Sequence, residues 1–259
     1  MVQTILDEPL YQKFNLHLIE KSWIEFFQEQ IKQKYFPDLL TQIDNEYQNR
    51  RCCPSQKDVF RLFQEISLPQ IKVVILGQDP YHQSELIKHR DGSAEKRWVA
   101  DGIAFSTQKP GYIPATLQNI FLELGREFDC PPPTSSNLLP WVKEGVFLLN
   151  TALTVQKSEP LSHMELWEEF TYSLIKYLNN YNPELVWIFW GKKAELIKNE
   201  CQIADKFSII STHPSPFSVN LGVKHKFFGS KPFSRVNNLL IETGKNPVNW
   251  LSIEKPAIK

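Results

Sequence analysis

Residues 71–82 read IKVVILGQDPYH. The first six, Ile71 to Leu76, form a short β-branched run that stops at Gly77, the pattern of a buried strand. Three further runs behave alike: Val146 to Leu149 (VFLL) stops at Asn150, Leu185 to Trp190 (LVWIFW) at Gly191, and Phe207 to Ser211 (FSIIS) just short of His213. Apolar residues at helical spacing lie before and between these runs. Ser22 to Ile31 carries such a face, with Ser22 as the expected N-cap, and Asp58 to Ile66 carries a second. Thr116 to Phe128, Met164 to Leu178 and Lys193 to Glu200 carry three more. Within Met164 to Leu178, residues Trp167, Phe170, Leu174 and Leu178 share one face. Strands alternating with helices predict an α/β fold: one domain over residues 1–259, a three-layer αβα sandwich around a central, mostly parallel four-stranded sheet. Ligands of such sheets bind outside the carboxyl ends of the strands. Those ends carry Gln78-Asp79, Asn150, Gly191 and His213.

The chain has 259 residues, 42% of them hydrophobic, with 29 Lys+Arg against 29 Asp+Glu. That length suits one large domain with a full core, and the composition excludes a disordered chain. Cys52, Cys53, Cys130 and Cys201 form no C-x-x-C pair, so neither a disulfide scaffold, a zinc ribbon nor an iron–sulfur cluster is signalled. Met1 to Lys21 holds no apolar stretch of signal-peptide length, and no run of about 18 apolar residues occurs. A soluble protein of a reducing compartment is expected, with no membrane partner: the cytoplasm of a bacterium, or the nucleus if the source is eukaryotic or viral.

Zero net charge removes the simplest sign of a nucleic-acid binder. The zero, however, joins unequal parts. Residues 1–50 carry 5 basic and 8 acidic side chains, residues 51–191 carry 13 and 16, and residues 192–259 carry 11 and 5. The basic surplus sits in the segment with His213, Phe217, Lys224, Lys226 and Lys231.

In Gly77-Gln-Asp-Pro-Tyr-His82, Pro80 fixes its own φ and pushes Asp79 toward an extended backbone. An Asp-Pro pair after a strand is by itself an ordinary turn. In His213-Pro-Ser-Pro-Phe-Ser218, two prolines stiffen the loop that holds an imidazole, and alone it would read as a rigid surface loop. Together with Leu148-Leu-Asn-Thr151, the two segments resemble the signature motifs of family 1 uracil-DNA glycosylases. The similarity extends through Gln56 to Phe60, Lys72 to Leu76, Gly102 to Ser106, Asn150 to Val155 and Phe227-Phe-Gly229. It covers roughly residues 20–250, in the family's order.

The resemblance implies cleavage of the N-glycosidic bond of deoxyuridine in single- or double-stranded DNA, with the nucleotide flipped into a pocket. It assigns Phe105 as the stacking floor, Asn150 as the amide that reads the base edge, and Tyr81 as the block against the 5-methyl group of thymine. Gln78 contributes a backbone group near the uracil and the water. Asp79 stabilises the sugar cation and positions the water, and His213 donates a hydrogen bond to O2, as neutral imidazole. DNA contacts fall on Thr116, His163, Ser215, Ser218, Lys192 and Phe217. The family needs no metal or organic cofactor, works as a monomer, and meets a proteinaceous inhibitor in some settings.

This chain departs from the family pattern in places. Phe217 stands where a leucine wedge is usual, and Lys192 follows Gly191 where serine is common. Pro114-Ala115 replaces a proline pair. Residues Val219 to Lys226 are a few longer than expected. Residues Gln83 to Asp101 are about a dozen longer; they carry Lys88, His89, Arg90, Lys96 and Arg97 with Glu85, Asp91, Glu95 and Asp101, and are expected as a tolerated surface insertion. Other readings are weaker. A same-fold enzyme of different base preference is opposed by Tyr81 and Asn150, and a non-catalytic binder by Asp79 and His213. A generic nucleotide enzyme would carry a G-x-G-x-x-G or P-loop pattern, which is absent.

Overall fold

The computed structural model describes residues 6–49, 51–88, 94–107, 111–221 and 225–253. In chain order its helices are α1 (Pro9–Lys13), α2 (Ile24–Lys32), α3 (Tyr35–Gln48), α4 (Arg61–Glu65), α5 (Ala115–Phe128), α6 (Leu139–Lys143), α7 (Met164–Tyr181), α8 (Lys192–Glu200) and α9 (Pro232–Glu242). Its strands are β1 (Cys52–Cys53), β2 (Val73–Gly77), β3 (Ser84–Lys88), β4 (Ala94–Trp98), β5 (Val146–Asn150), β6 (Val155–Gln156), β7 (Val186–Trp190) and β8 (Ser208–Ser211).

The four apolar runs are the four strands of the central sheet, in the order β5-β2-β7-β8, and every pairing is parallel. Strands β2, β5 and β7 are buried along their whole length, which is why they read as unbroken apolar runs rather than alternating ones. Aromatic side chains form a cover on each side. Trp23 stacks on Phe147, with ring centres 5.4 Å apart, and Phe36 on Phe170, also at 5.4 Å. A second cluster joins Trp141 to Trp250 at 5.2 Å and Phe233 to Trp250 at 4.9 Å.

Local departures from the sequence reading have physical causes. Ser22 does not cap α2: the Glu20 carboxylate accepts from Ser22's own N–H, and the Ser22 hydroxyl accepts from Leu68 N–H at 2.9 Å. The expected helix from Asp58 shrinks to a 3-10 turn (Gln56–Asp58) and α4. Phe60 breaks it, with φ −106° and ψ 20°, as its ring is drawn into the aromatic core. Helices α3 and α9 were not anticipated, although Pro232 at the first turn of α9 is a start signal. Within the long 83–101 segment, β3 and β4 form an antiparallel hairpin, Ser84 opposite Trp98, which pairs with no other strand among the described residues.

Candidate active site

Where β2 and β5 end, Gly77 and Asn150 stand side by side in register. A Cβ on Gly77 would lie 2.3 Å from Asn150 Oδ1 and 2.9 Å from the Ala104 Cβ. Only glycine lets the Asn150 amide lie across the strand end. Asn150 is 7% exposed, and its carboxamide has no hydrogen-bond partner among the described residues. The Gln78 carbonyl accepts from Ala152 N–H and from the Thr151 hydroxyl, both at 2.9 Å, so the loop after β2 is pinned to the end of β5.

A cleft of about 220 Å³ opens at this point. Asp79, Tyr81, Phe105, Asn150 and His213 line it, together with Gln78 and Thr116. It is smaller than the ~300–1,000 Å³ pockets that take drug-sized ligands. Its size suits one flat ring system.

The turn that carries Phe105 is built from charge and strain. Gly102 has φ +84°, and a Cβ there would lie 2.0 Å from the Asp58 carbonyl oxygen. The Asp101 carboxylate accepts from Ile103 N–H at 3.2 Å and from the Ser106 hydroxyl at 2.8 Å, and pairs with the Arg61 guanidinium at 3.2 Å. Phe105 itself is left-handed, φ 65°. The Tyr81 hydroxyl donates to its carbonyl at 3.1 Å, and its ring meets Trp190 edge to face at 5.5 Å. Burial pushes the Tyr81 hydroxyl and the Asp101 carboxyl above their ordinary ranges, the latter against the pull of Arg61. Asp101 thus corrects the sequence reading, which counted it with the charges of a surface insertion: it is 1% exposed and supports the aromatic floor.

Asp79 accepts a hydrogen bond from Leu161 N–H at its Oδ2, 2.7 Å away. Burial raises its proton affinity, while the Leu161 N–H, His82, its own backbone N–H and Lys193 oppose the rise. His213 sits behind Gly191, whose φ is +88° and whose Cβ, if present, would lie 3.1 Å from the His213 Cβ. His213 Nδ1 accepts from Ser215 N–H at 3.0 Å, which leaves the ring proton on Nε2. Burial lowers the pKa of this imidazole. The result is a neutral ring with an N–H donor to offer.

The rim divides the expected DNA contacts. Thr116, in the first turn of α5, lines the cleft. Ser215 and Ser218 shape one turn, the Ser215 carbonyl accepting from Ser218 N–H at 2.9 Å and from Val219 N–H at 2.8 Å. Between them Phe217 is 89% exposed. Lys192 opens α8 and, with Lys193, Ser215 and Ser218, lines a neighbouring groove of about 670 Å³. His163 is elsewhere. It is 2% exposed, and its Nδ1 lies 2.8 Å from the Thr154 hydroxyl oxygen, which accepts from the Trp167 indole at 2.7 Å. The expectation of a direct phosphate contact is corrected accordingly: from inside the protein this imidazole ties Thr154, just before β6, to the start of α7.

Asn119 was missed in the sequence. Its amide donates to the Pro214 carbonyl at 2.8 Å, tying α5 to the loop that holds His213. Lys224 lies outside the described residues, as do His89, Arg90 and Asp91. The side chains of Glu85, Lys88, Glu95, Lys96 and Arg97 lie outside them too. Among the described residues no three His, Cys, Asp or Glu side chains form a metal-binding group, and no helix is long and apolar enough to cross a membrane.

The chain is similar to known proteins in sequence and in fold. The family model of the uracil DNA glycosylase superfamily matches residues 63–241. The uracil-DNA glycosylase of Bacillus subtilis is 38% identical over 235 residues, 90% of this chain and 96% of that protein. That of Mycoplasmopsis pulmonis is 36% identical over 233 residues, 89% and 97% of the two chains. The crystal structure of mimivirus uracil-DNA glycosylase matches with a TM-score of 0.78 at 29% identity, covering 90% of this chain and 87% of that one. A mimivirus variant in complex with UGI matches with a TM-score of 0.80 at 28% identity, covering 95% and 92%. This chain belongs to the uracil DNA glycosylase superfamily.

Proposed function

We propose that this protein is a monofunctional uracil-DNA glycosylase that initiates base excision repair. It flips deoxyuridine out of DNA, hydrolyses the N-glycosidic bond, releases uracil and leaves an abasic site. One observation carries the reading: Asp79, Tyr81, Phe105, Asn150 and His213 line a single small cleft at the carboxyl ends of β2 and β5.

Each wall of the cleft has a task in this scheme. The base stacks on Phe105. The free carboxamide of Asn150 donates to uracil O4 and accepts from N3–H, whereas cytosine would present the reverse order and leave buried polar groups unmatched. Tyr81, its hydroxyl fixed on the Phe105 carbonyl, leaves no room for a 5-methyl group. When the bond from C1′ to N1 breaks, its electron pair goes to uracil and positive charge stays on the sugar. The His213 Nε2–H meets the anion at O2, and the Asp79 carboxylate faces the cation and orients the water that attacks C1′. Gln78 supplies a backbone group to the base and that water. Preorganised groups of this kind contribute about 3–4 kcal/mol each. No metal or organic cofactor enters the scheme.

The DNA is held by Thr116, Ser215 and Ser218 through hydroxyls and turn amides, and by Lys192 through charge. Phe217 is the wedge that enters the base stack as the nucleotide leaves it. The enzyme acts as a monomer in the compartment that holds the DNA, the cytoplasm of a bacterium or the nucleus for a eukaryotic or viral source, and a proteinaceous inhibitor of the UGI kind would cover the face that carries Phe217. The test is release of uracil from a uracil-containing oligonucleotide, with chelator present and with cytosine- and thymine-only controls. Uracil release alone supports the reading; no release, or equal release from the controls, overturns it.

A further inference from the structure

Leu161 adopts φ 70°, a left-handed backbone that a branched L-residue rarely takes, and Ser158, three residues earlier, adopts φ 63°. The Leu161 side chain is 41% exposed, so burial of a leucine does not account for the strained backbone. The segment is tied down on several sides. Gln156 N–H donates to the Ser162 hydroxyl at 2.8 Å, and Ser162 N–H to the Glu159 carbonyl at 3.3 Å. Met164 N–H donates to the Leu161 carbonyl at 3.2 Å, and Ser158 N–H to the His82 carbonyl at 3.4 Å. What this strap delivers is one N–H, that of Leu161, placed 2.7 Å from Asp79 Oδ2. Backbone strain held by its surroundings at such a point marks a functional constraint.

We propose that Leu161 is a positioning residue: its backbone N–H locks one carboxylate oxygen of Asp79, leaving Oδ1 to face the sugar and the water. The inference rests on the reading of Asp79 as a catalytic group. The N–H also favours the ionised carboxylate, against the burial that favours the neutral acid. The other charged or titratable groups around Asp79 are His82 on its own loop, Lys193 at the start of α8, and Tyr81 and His213 in the cleft. Of these, none donates a hydrogen bond to Asp79 among the described residues.

Two measurements on the full chain test the inference. In protein labelled with ¹⁵N-leucine, the Leu161 amide proton resonance should shift with pH in step with Asp79, and the shift should vanish in Asp79→Asn. In uracil-release kinetics, Leu161→Pro removes the N–H and cannot hold a positive φ. It should lower kcat roughly tenfold at mildly acidic pH with KM changed less than about twofold, and move the acid limb of the profile to higher pH. Leu161→Asn keeps the N–H and suits a left-handed backbone, so it should rescue the profile. A Leu161 amide that is flat with pH overturns the inference, as does an unmoved acid limb in a folded Leu161→Pro. If Leu161→Pro fails to fold, the amide titration of the parent protein decides. Failure of the underlying reading looks different: Asp79→Asn would then turn over uracil normally, which overturns the role of Asp79 and the lock with it.

Discussion

Two backbone N–H groups hold the candidate catalytic pair: that of Leu161 on Asp79, where it opposes the rise that burial causes, and that of Ser215 on His213, where it fixes the tautomer of a ring whose pKa burial lowers. Each side chain is thereby held by a backbone donor at one polar atom. Asp79→Asn should slow uracil release by at least about 10²-fold while DNA binding persists, as single-turnover kinetics and a binding titration would measure. The same substitution should raise Tm at neutral pH. Burial raises the Asp79 pKa in the fold, so the ionised carboxylate opposes folding there. That penalty disappears at pH values below the ordinary carboxylate range, where both states are protonated, and the Tm gain should disappear with it. Tyr81→Ala should admit thymine, detected as thymine release from a normal oligonucleotide. Tyr81→Phe should not, since it loses only the hydrogen bond to the Phe105 carbonyl, worth about 1 kcal/mol. Asp79, Tyr81 and His213 stood out in the sequence because Gly77 to His82 and His213 to Ser218 are chemically odd hexamers, whereas Leu161 lies in neither and did not. Asp101 was not legible. Its neighbours in sequence belong to an insertion, and only the fold reveals the Arg61 and Ser106 partners that make its burial tolerable.

At the scale of elements, α5 organises the rim of the cleft from below. Thr116 lies in its first turn, Asn119 holds the Pro214 carbonyl, and the buried Glu123 carboxylate accepts from Gly229 N–H at 2.9 Å and Lys231 N–H at 3.1 Å. One helix therefore registers the hydroxyl at the rim, the imidazole loop and the turn before α9. Asn119→Leu should release the loop and lower kcat about tenfold, with little change in Tm because a single amide hydrogen bond is lost. Kinetics and thermal melting together would separate this from general unfolding. Phe217→Ala should impair duplex substrates more than single-stranded ones; equal losses on both would deny it the wedge role. The strands and longest helices were legible in the sequence because parallel strands and amphipathic helices each have one strong period. Helix α3 was missed for want of a start signal, with no side-chain cap at Lys34. The burial of His163 was missed because a motif specifies residue types but not which of them the Thr154 and Trp167 partners draw inward.

Across the whole molecule, net charge of zero coexists with a basic final quarter. Under the proposed function, phosphates would be gripped locally, chiefly through hydroxyls and backbone N–H groups, with Lys192 and Lys193, which line the groove, as point charges. Lys192→Ser should reduce the slope of log affinity against log salt by about 0.7–0.9, the contribution of one phosphate contact, measured by binding titrations at several salt concentrations. The layer architecture was legible from the alternation of elements, whereas the β3–β4 hairpin was not, because its strands are short and charged. One feature of the sheet also reaches beyond catalysis. Strand β5, which ends in Asn150, is an outer strand, and its Leu148 carbonyl is covered by Ala104 N–H at 3.0 Å. The turn that sets the aromatic floor is therefore also a guard on an apolar strand that would otherwise invite pairing with a second chain. Substitutions that unfold Gly102 to Ser106 should therefore uncover the edge of β5 as well as the floor of the cleft, and light scattering beside uracil-release kinetics would register both losses.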